Sequence, residues 1–170
     1  MKIYGVVGWK NAGKTTLVER LVAEIAGRGF SVSTVKHTHH RVDVDQQGKD
    51  SWRHRAAGAG QVILSSSARW ALMTELRGAP EATLAELIGH LSPVDLVIVE
   101  GYKRDRHPKV EAWRAETGQK LIAAGDPTVR LIASNDRPGG VGRPVIALDD
   151  IPAIADFILG DLGLELRKSA

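Results

Sequence analysis

Hydrophobic positions along the chain follow two rhythms, and each marks a kind of element. Residues 2–7, apolar after Lys2 and carrying β-branched Ile3, Val6 and Val7, stop at Gly8, the pattern of a buried strand. Over residues 15–28 the apolar Leu17, Val18, Leu21, Val22, Ile25 and Ala26 recur at helical spacing, with Gly27 and Gly29 to end the run. Residues 30–36 alternate Ser and Thr with Val and predict a second strand. Residues 37–48 have no period and read as a loop. Residues 50–59 read as a short polar helix with Asp50 as its N-cap. Two β-rich runs, 61–66 and 69–76, predict a hairpin. A helix is expected to open at Pro80 and to run to Leu91. Residues 94–99 are the most apolar run and predict a central strand. Shorter strands are expected at 109–114, 129–133 and 145–148, and a last amphipathic helix at 152–162.

Strands alternate with helices through most of this map, which predicts an α/β layer fold on a mainly parallel sheet. The 61–76 hairpin breaks the alternation. It adds an antiparallel excursion, at a sheet edge or an oligomer contact. No repeat, low-complexity run or linker interrupts the sequence. Residues 1–170 are therefore expected to form a single domain, with 163–170 as a loose C-terminal tail.

Composition narrows the chemistry more than the architecture. Cysteine is absent, which excludes disulfides, thiolate metal sites, iron–sulfur clusters and a Cys nucleophile. The net charge of +3 suits a phosphate-bearing partner. No nucleic-acid fold signature accompanies it, so no nucleic-acid partner is expected. The apolar start is too short for a signal peptide, and no run approaches the roughly 20 apolar residues that span a bilayer. A cytoplasmic protein without a membrane partner is expected.

The first strand and first helix are joined by Gly8-Trp9-Lys10-Asn11-Ala12-Gly13-Lys14-Thr15, which matches G-x-x-x-x-G-K-[ST] at every defined position. Such a loop wraps a phosphate with backbone N–H groups, and its glycines take conformations that side chains would block. Lys14 is placed to reach the β- and γ-phosphates and Thr15 to offer its hydroxyl to Mg²⁺, while the following helix points its N-terminus at the anion. Thr16 continues the motif. With the strand–helix alternation, this predicts the three-layer P-loop NTPase fold, with its mainly parallel sheet plus the antiparallel hairpin.

A phosphate loop needs an acidic partner for the metal shell at the end of a neighbouring apolar strand. Glu100 closes the 95–100 run and precedes Gly101, so it fits; Asp95, at the strand's start, should lie at the opposite end of the sheet. The loop after the second strand holds His37, His39, His40, Asp43 and Asp45. It reads in two ways: as a transition-metal cluster, or as a switch-like loop in which an Asp meets the Mg²⁺ water shell. Lys10, Lys14, Lys36 and Lys49 would gather near a triphosphate.

Four blocks in order resemble the molybdopterin-guanine dinucleotide biosynthesis adapter family, MobB. They are residues 8–17; residues 35–40 running into Asp43 and Asp45; residues 48–53 with 57–59; and Val99-Glu100-Gly101-Tyr102-Lys103 with Pro108-Lys109-Val110-Glu111. The resemblance implies a homodimer that binds GTP with Mg²⁺ and hydrolyses it weakly. It also implies a partner, the guanylyltransferase MobA. By the same resemblance Gly8 through Thr16 hold the nucleotide and Lys14 holds phosphate. Thr15, Asp45 and Glu100 form the metal shell, and Lys14, Asp45 and Glu100 are the catalytic set. The usual guanine-reading signature Asn-Lys-x-Asp is missing; residues 133–136 are a degenerate substitute, with Asp136 able to accept from guanine N1 and N2. Trp70 and the hairpin are the expected dimer contact. Two other functions remain compatible with the residues: a small-molecule kinase with Asp45 as general base, and a metallochaperone working through His37, His39 and His40.

Overall fold

A computed structural model of the chain describes residues 1–38, 43–140 and 142–165. The elements in chain order are β1 (Lys2–Val7), α1 (Lys14–Gly27), β2 (Val32–Lys36), α2 (Asp50–Ala56), β3 (Gln61–Ser65), β4 (Trp70–Thr74), α3 (Leu84–Gly89), β5 (Leu96–Glu100), β6 (Lys109–Ala112), β7 (Val129–Ala133), β8 (Val145–Ile146) and α4 (Ile151–Asp161). Two 3-10 turns, Ala115–Thr117 and Ile122–Ala124, lie between β6 and β7. The chain divides into two compact units, Met1–His37 with Leu87–Ala170, and Thr38–Glu86.

The larger unit is built on six parallel strands in the order β2-β5-β1-β6-β7-β8. β5 is buried at all five positions, as its unbroken apolar run requires of a central parallel strand. Tyr4, Val6, Leu96, Ile98, Val110 and Leu131 turn to one face. There they meet Leu17, Leu21 and Ile25 of α1 and Ile151, Ile154 and Ile158 of α4. Leu17, Leu21 and Ile25 recur on one stripe of α1, which explains why a 3.6-residue period was legible. Val7, Ala123, Val129 and Ile132 form a smaller cluster with Trp113, Leu121 and Ile122 packed against it.

The start of the central strand is pinned by Asp95. Asp95 Oδ2 accepts from the Ser31 amide (2.8 Å) and hydroxyl (2.6 Å), tying the entry of β2 to the entry of β5. Parallel register makes that the end of the sheet away from the 8–15 loop. α4 opens at Asp150, whose carboxylate accepts from the Ala153 amide at 3.2 Å. Of the expected tail, Gly163 (φ 63°) and Leu164 close α4 instead, Leu164 donating back to the Leu159 carbonyl at 2.9 Å. Residues 166–170 lie outside the described residues.

The smaller unit holds α2 and the antiparallel pair β3–β4, in which Val62 faces Met73 and Ser65 faces Trp70. Asp50 is not the cap of α2. Lys49 takes the extended cap position and Asp50 sits in the first helical turn. The helix expected from Pro80 begins only at Leu84, because Thr83 supplies a better start. Thr83 Oγ1 accepts from the Glu86 amide while Glu86 Oε2 accepts from the Thr83 amide, a reciprocal capping box.

Candidate functional site

The 8–15 loop lies between the C-terminal end of β1 and the first turn of α1. Gly8 has φ 151°, and a Cβ there would overlap the Ala112 carbonyl oxygen of β6. Glycine is therefore the residue this close approach requires. Asn11 (φ 66°) and Gly13 (φ 91°) also take left-handed backbone, and Gly13 caps α1. Gly13 has no side-chain cap bond, so the first amides of α1 are left to another acceptor.

Sheet register assembles the acidic partner. Val6, Glu100 and Lys36 stand in one row across β1, β5 and β2, directly below the loop. Glu100 is 7% exposed. Thr15 Oγ1 donates to its Oε1 at 3.0 Å, and Lys36 Nζ lies 3.3 Å from its Oε2. Lys36 Nζ also reaches Thr15 Oγ1 at 3.3 Å. A hydroxyl and a carboxylate side by side are hard oxygen donors, the set that suits Mg²⁺, so the residues present fit that ion. Lys14 Nζ donates to the Trp9 carbonyl at 2.7 Å. Burial, and then the Lys103 ammonium, hold the Lys14 pKa below the usual lysine value.

Two concavities flank the loop. One, of about 170 Å³, is lined by Arg114, Glu116, Asn135, Asp136 and Leu148. A Cβ on Gly13 would lie 3.5 Å from Leu148 Cδ2 and 3.6 Å from Arg114 Nε, so this cleft adjoins the loop. Asp136 is in it, its Oδ2 accepting from the Ala115 amide at 2.7 Å. Asn135 is committed to structure, donating to Asp149 Oδ2 and accepting from the Leu148 amide, both at 2.8 Å. The second, of about 680 Å³, is lined by Trp9, Lys10, Asn11, Glu116, Thr117 and Gln119.

The structure thus brings Lys14, Thr15, Glu100 and Lys36 together, with Asp136 in the neighbouring cleft. Asp45 belongs to the smaller unit. Its carboxylate accepts from the Ser51 hydroxyl (2.8 Å), the Gln46 amide (3.0 Å) and Arg55 Nε (3.2 Å). Burial alone would raise its pKa, but the bonds from Ser51, Arg55 and Gln46 outweigh it and hold the group below the usual carboxylate value. Arg55 also grips Asp43 and Glu75, so the polar loop residues are woven into an ion network within that unit. Lys49 lies in the same unit, at the head of α2. His39 and His40 lie outside the described residues, and His37 packs on the Tyr102 ring at 4.9 Å. Among the described residues no group of three His, Cys, Asp or Glu is placed to hold a metal ion, and no helix is long and apolar enough to cross a membrane.

Sequence reasoning assigned no role to Lys103, whose Nζ stands 3.9 Å over the Trp9 ring beside the loop. Its position after Glu100-Gly101-Tyr102, at the loop end of the strand next to β1, was the available signal.

The model of the family described as MobB, molybdopterin guanine dinucleotide synthesis protein B, matches residues 3–135. The chain belongs to the MobB family. Molybdopterin-guanine dinucleotide biosynthesis adapter proteins are among its relatives. That of Haemophilus influenzae is 40% identical over 92% of this chain and 86% of its own length. That of Escherichia coli is 38% identical over 89% and 87%. Solved MobB structures share the fold. The homolog from Bacillus stearothermophilus superposes with a TM-score of 0.72 at 27% identity, covering 97% of this chain and all of that one. Bacillus subtilis MobB gives 0.74 at 26% identity, covering 95% and 98%. The parallel sheet with its added antiparallel pair is therefore the MobB version of the P-loop NTPase fold, and membership assigns the chain to molybdopterin-guanine dinucleotide synthesis.

Proposed function

We propose that this chain is a GTP-binding adapter that assists the guanylyltransferase MobA in molybdopterin-guanine dinucleotide synthesis, as a cytoplasmic homodimer with weak Mg²⁺-dependent GTPase activity. The observation that carries the nucleotide reading is the Lys14–Thr15–Glu100–Lys36 constellation under a loop whose Gly8 admits no side chain. Gly8, Trp9, Lys10, Asn11, Ala12, Gly13 and Thr16 would wrap the phosphates with their amides, and Lys14 would bind the β- and γ-phosphates. Thr15 and Glu100 would hold Mg²⁺, which when bound neutralises charge on the phosphate oxygens. Asp45 would be the second acidic group of the metal shell beside Glu100, and Asp136 the guanine acceptor. The chain's own contribution to hydrolysis would be positioning and electrostatics without a covalent intermediate, which is consistent with slow turnover and with an adapter's role. For the homodimer, the exposed apolar residues of the hairpin, Ile63, Leu64 and Trp70, supply the surface.

Competitive titration of purified protein with GTP and ATP, with and without Mg²⁺, tests the reading. GTP should win, Mg²⁺ should tighten it, and Lys14→Ala should weaken it at least about 10-fold, the loss of one charge-assisted contact. Equal GTP affinity in Lys14→Ala and wild type would refute it.

A further inference from the structure

Three lysine ammoniums converge beside the 8–15 loop, and the motif accounts for only one of them. Lys14 is the motif lysine, and Lys36 is paired with Glu100. The third, Lys103, is delivered by an unusual turn. After β5 the backbone passes through the left-handed region at Gly101 (φ 100°) and again at Tyr102 (φ 48°). A Cβ on Gly101 would sit 3.1 Å from His37 Cβ, so the turn is packed tightly against the end of β2. Tyr102 is a costly residue for such backbone. The conformation places Lys103 Nζ 3.9 Å from the centroid of the Trp9 ring. Trp9 is itself held, its Nε1 donating to the Lys120 carbonyl at 2.7 Å. One loop residue thus carries two lysines, Lys14 on its carbonyl and Lys103 on its indole.

The charge balance is uneven. Glu100 is the carboxylate bonded within this group, and it faces Lys36 and Thr15. The acidic group whose field favours charged Lys103 is Glu111, but its two oxygens accept the Ile122 and Ala123 amides, each at 2.8 Å. Burial lowers the Lys103 pKa, and its charge in turn lowers that of Lys14. Two partly desolvated ammoniums repelling each other at a phosphate loop are a site built for a polyanion. An indole face holds an ammonium more weakly than an ionised oxygen does, so Lys103 is held in place yet free to leave.

We propose that Lys103 is a third phosphate-binding cation of this site: it rests on the Trp9 indole and moves onto the outermost phosphate when a triphosphate binds. It would thereby distinguish triphosphate from diphosphate. This rests on the nucleotide reading above.

The test is calorimetric titration of wild type, Lys103→Met, Lys103→Arg and Lys14→Ala with inorganic tripolyphosphate, GTP, GDP and GMP. Lys103→Met keeps the apolar stem over Trp9, and a melting curve confirms that each variant folds. Lys103→Met should lose about 10-fold for GTP and for tripolyphosphate, less for GDP and nothing for GMP. Its affinity should also depend less on salt, and Lys103→Arg should recover most of the loss. Affinity within twofold of wild type in Lys103→Met, or equal loss for GTP, GDP and GMP, would overturn the proposal, since a packing role predicts one of those. If wild type binds tripolyphosphate but shows no preference for GTP, the guanine reading fails and the Lys103 pattern is scored on tripolyphosphate alone. If it binds neither, both fail.

Discussion

Single residues of the loop carry constraints that have opposite consequences for folding and binding. Gly8 is constrained by space, because the Ala112 carbonyl occupies the place of its Cβ. Gly8→Ala should cost at least about 2 kcal/mol in a urea melt, since backbone strain adds to the clash. Lys14 is constrained by electrostatics. Its pKa is held below 10.5 by burial and by Lys103. Between that lowered value and 10.5 the folded chain binds fewer protons than the unfolded one, so stability without ligand rises with pH in that window. Phosphate binding has the reverse sign, because a triphosphate favours charged Lys14. GTP affinity should be level near pH 7 and fall as pH climbs through the lowered pKa, before 10.5 is reached. Calorimetry across that range should show the fall in wild type and little of it in Lys14→Arg, whose guanidinium stays charged.

At the scale of elements, helix starts were decided by groups only three residues apart. α3 begins at Leu84 and not near Pro80, because Thr83 and Glu86 satisfy each other's amides while Pro80 can satisfy none. The sequence expectation rested on Pro80 alone and did not use the Thr83-x-x-Glu86 spacing. α4 depends on Asp150 in the same way. Asp150→Ala should lower stability by about 1 kcal/mol, read as a drop in Tm, with no change in nucleotide affinity. β5 was legible as an unbroken apolar run and α1 by its helical period. β8, of two residues, was expected to be longer, since neighbouring loop residues share its apolar character.

For the whole molecule, the question is which surface another chain covers. β3–β4 is a two-stranded antiparallel sheet with Ile63 64%, Leu64 56% and Trp70 66% exposed. Isolated hairpins with apolar faces are stabilised by pairing or covering. If the proposed homodimer uses this surface, Ile63→Ser with Trp70→Ser should shift sedimentation velocity from dimer toward monomer. An unchanged mass would remove the hairpin from the interface. Each fold unit should stay intact, because neither residue is part of a buried cluster.

The sequence by itself determined the strand–loop–helix unit at 2–28, a central strand at 94–99 and the place of Glu100 at that strand's end. Those features are local: a period, a glycine spacing and a carboxylate at a strand end can be read without knowing what lies beside them. Tertiary structure decided the rest, because register across three strands sets which side chains meet. Only that register puts Lys36 in the row of Glu100, and only the left-handed turn at 101–102 carries Lys103 back over Trp9. The fully buried Lys109 is another case. Its Nζ is enclosed by the Asp105 carbonyl, the Thr128 hydroxyl and Asp126. A buried ammonium requires such partners. They come from loops up to 19 residues away, a separation that no local pattern encodes.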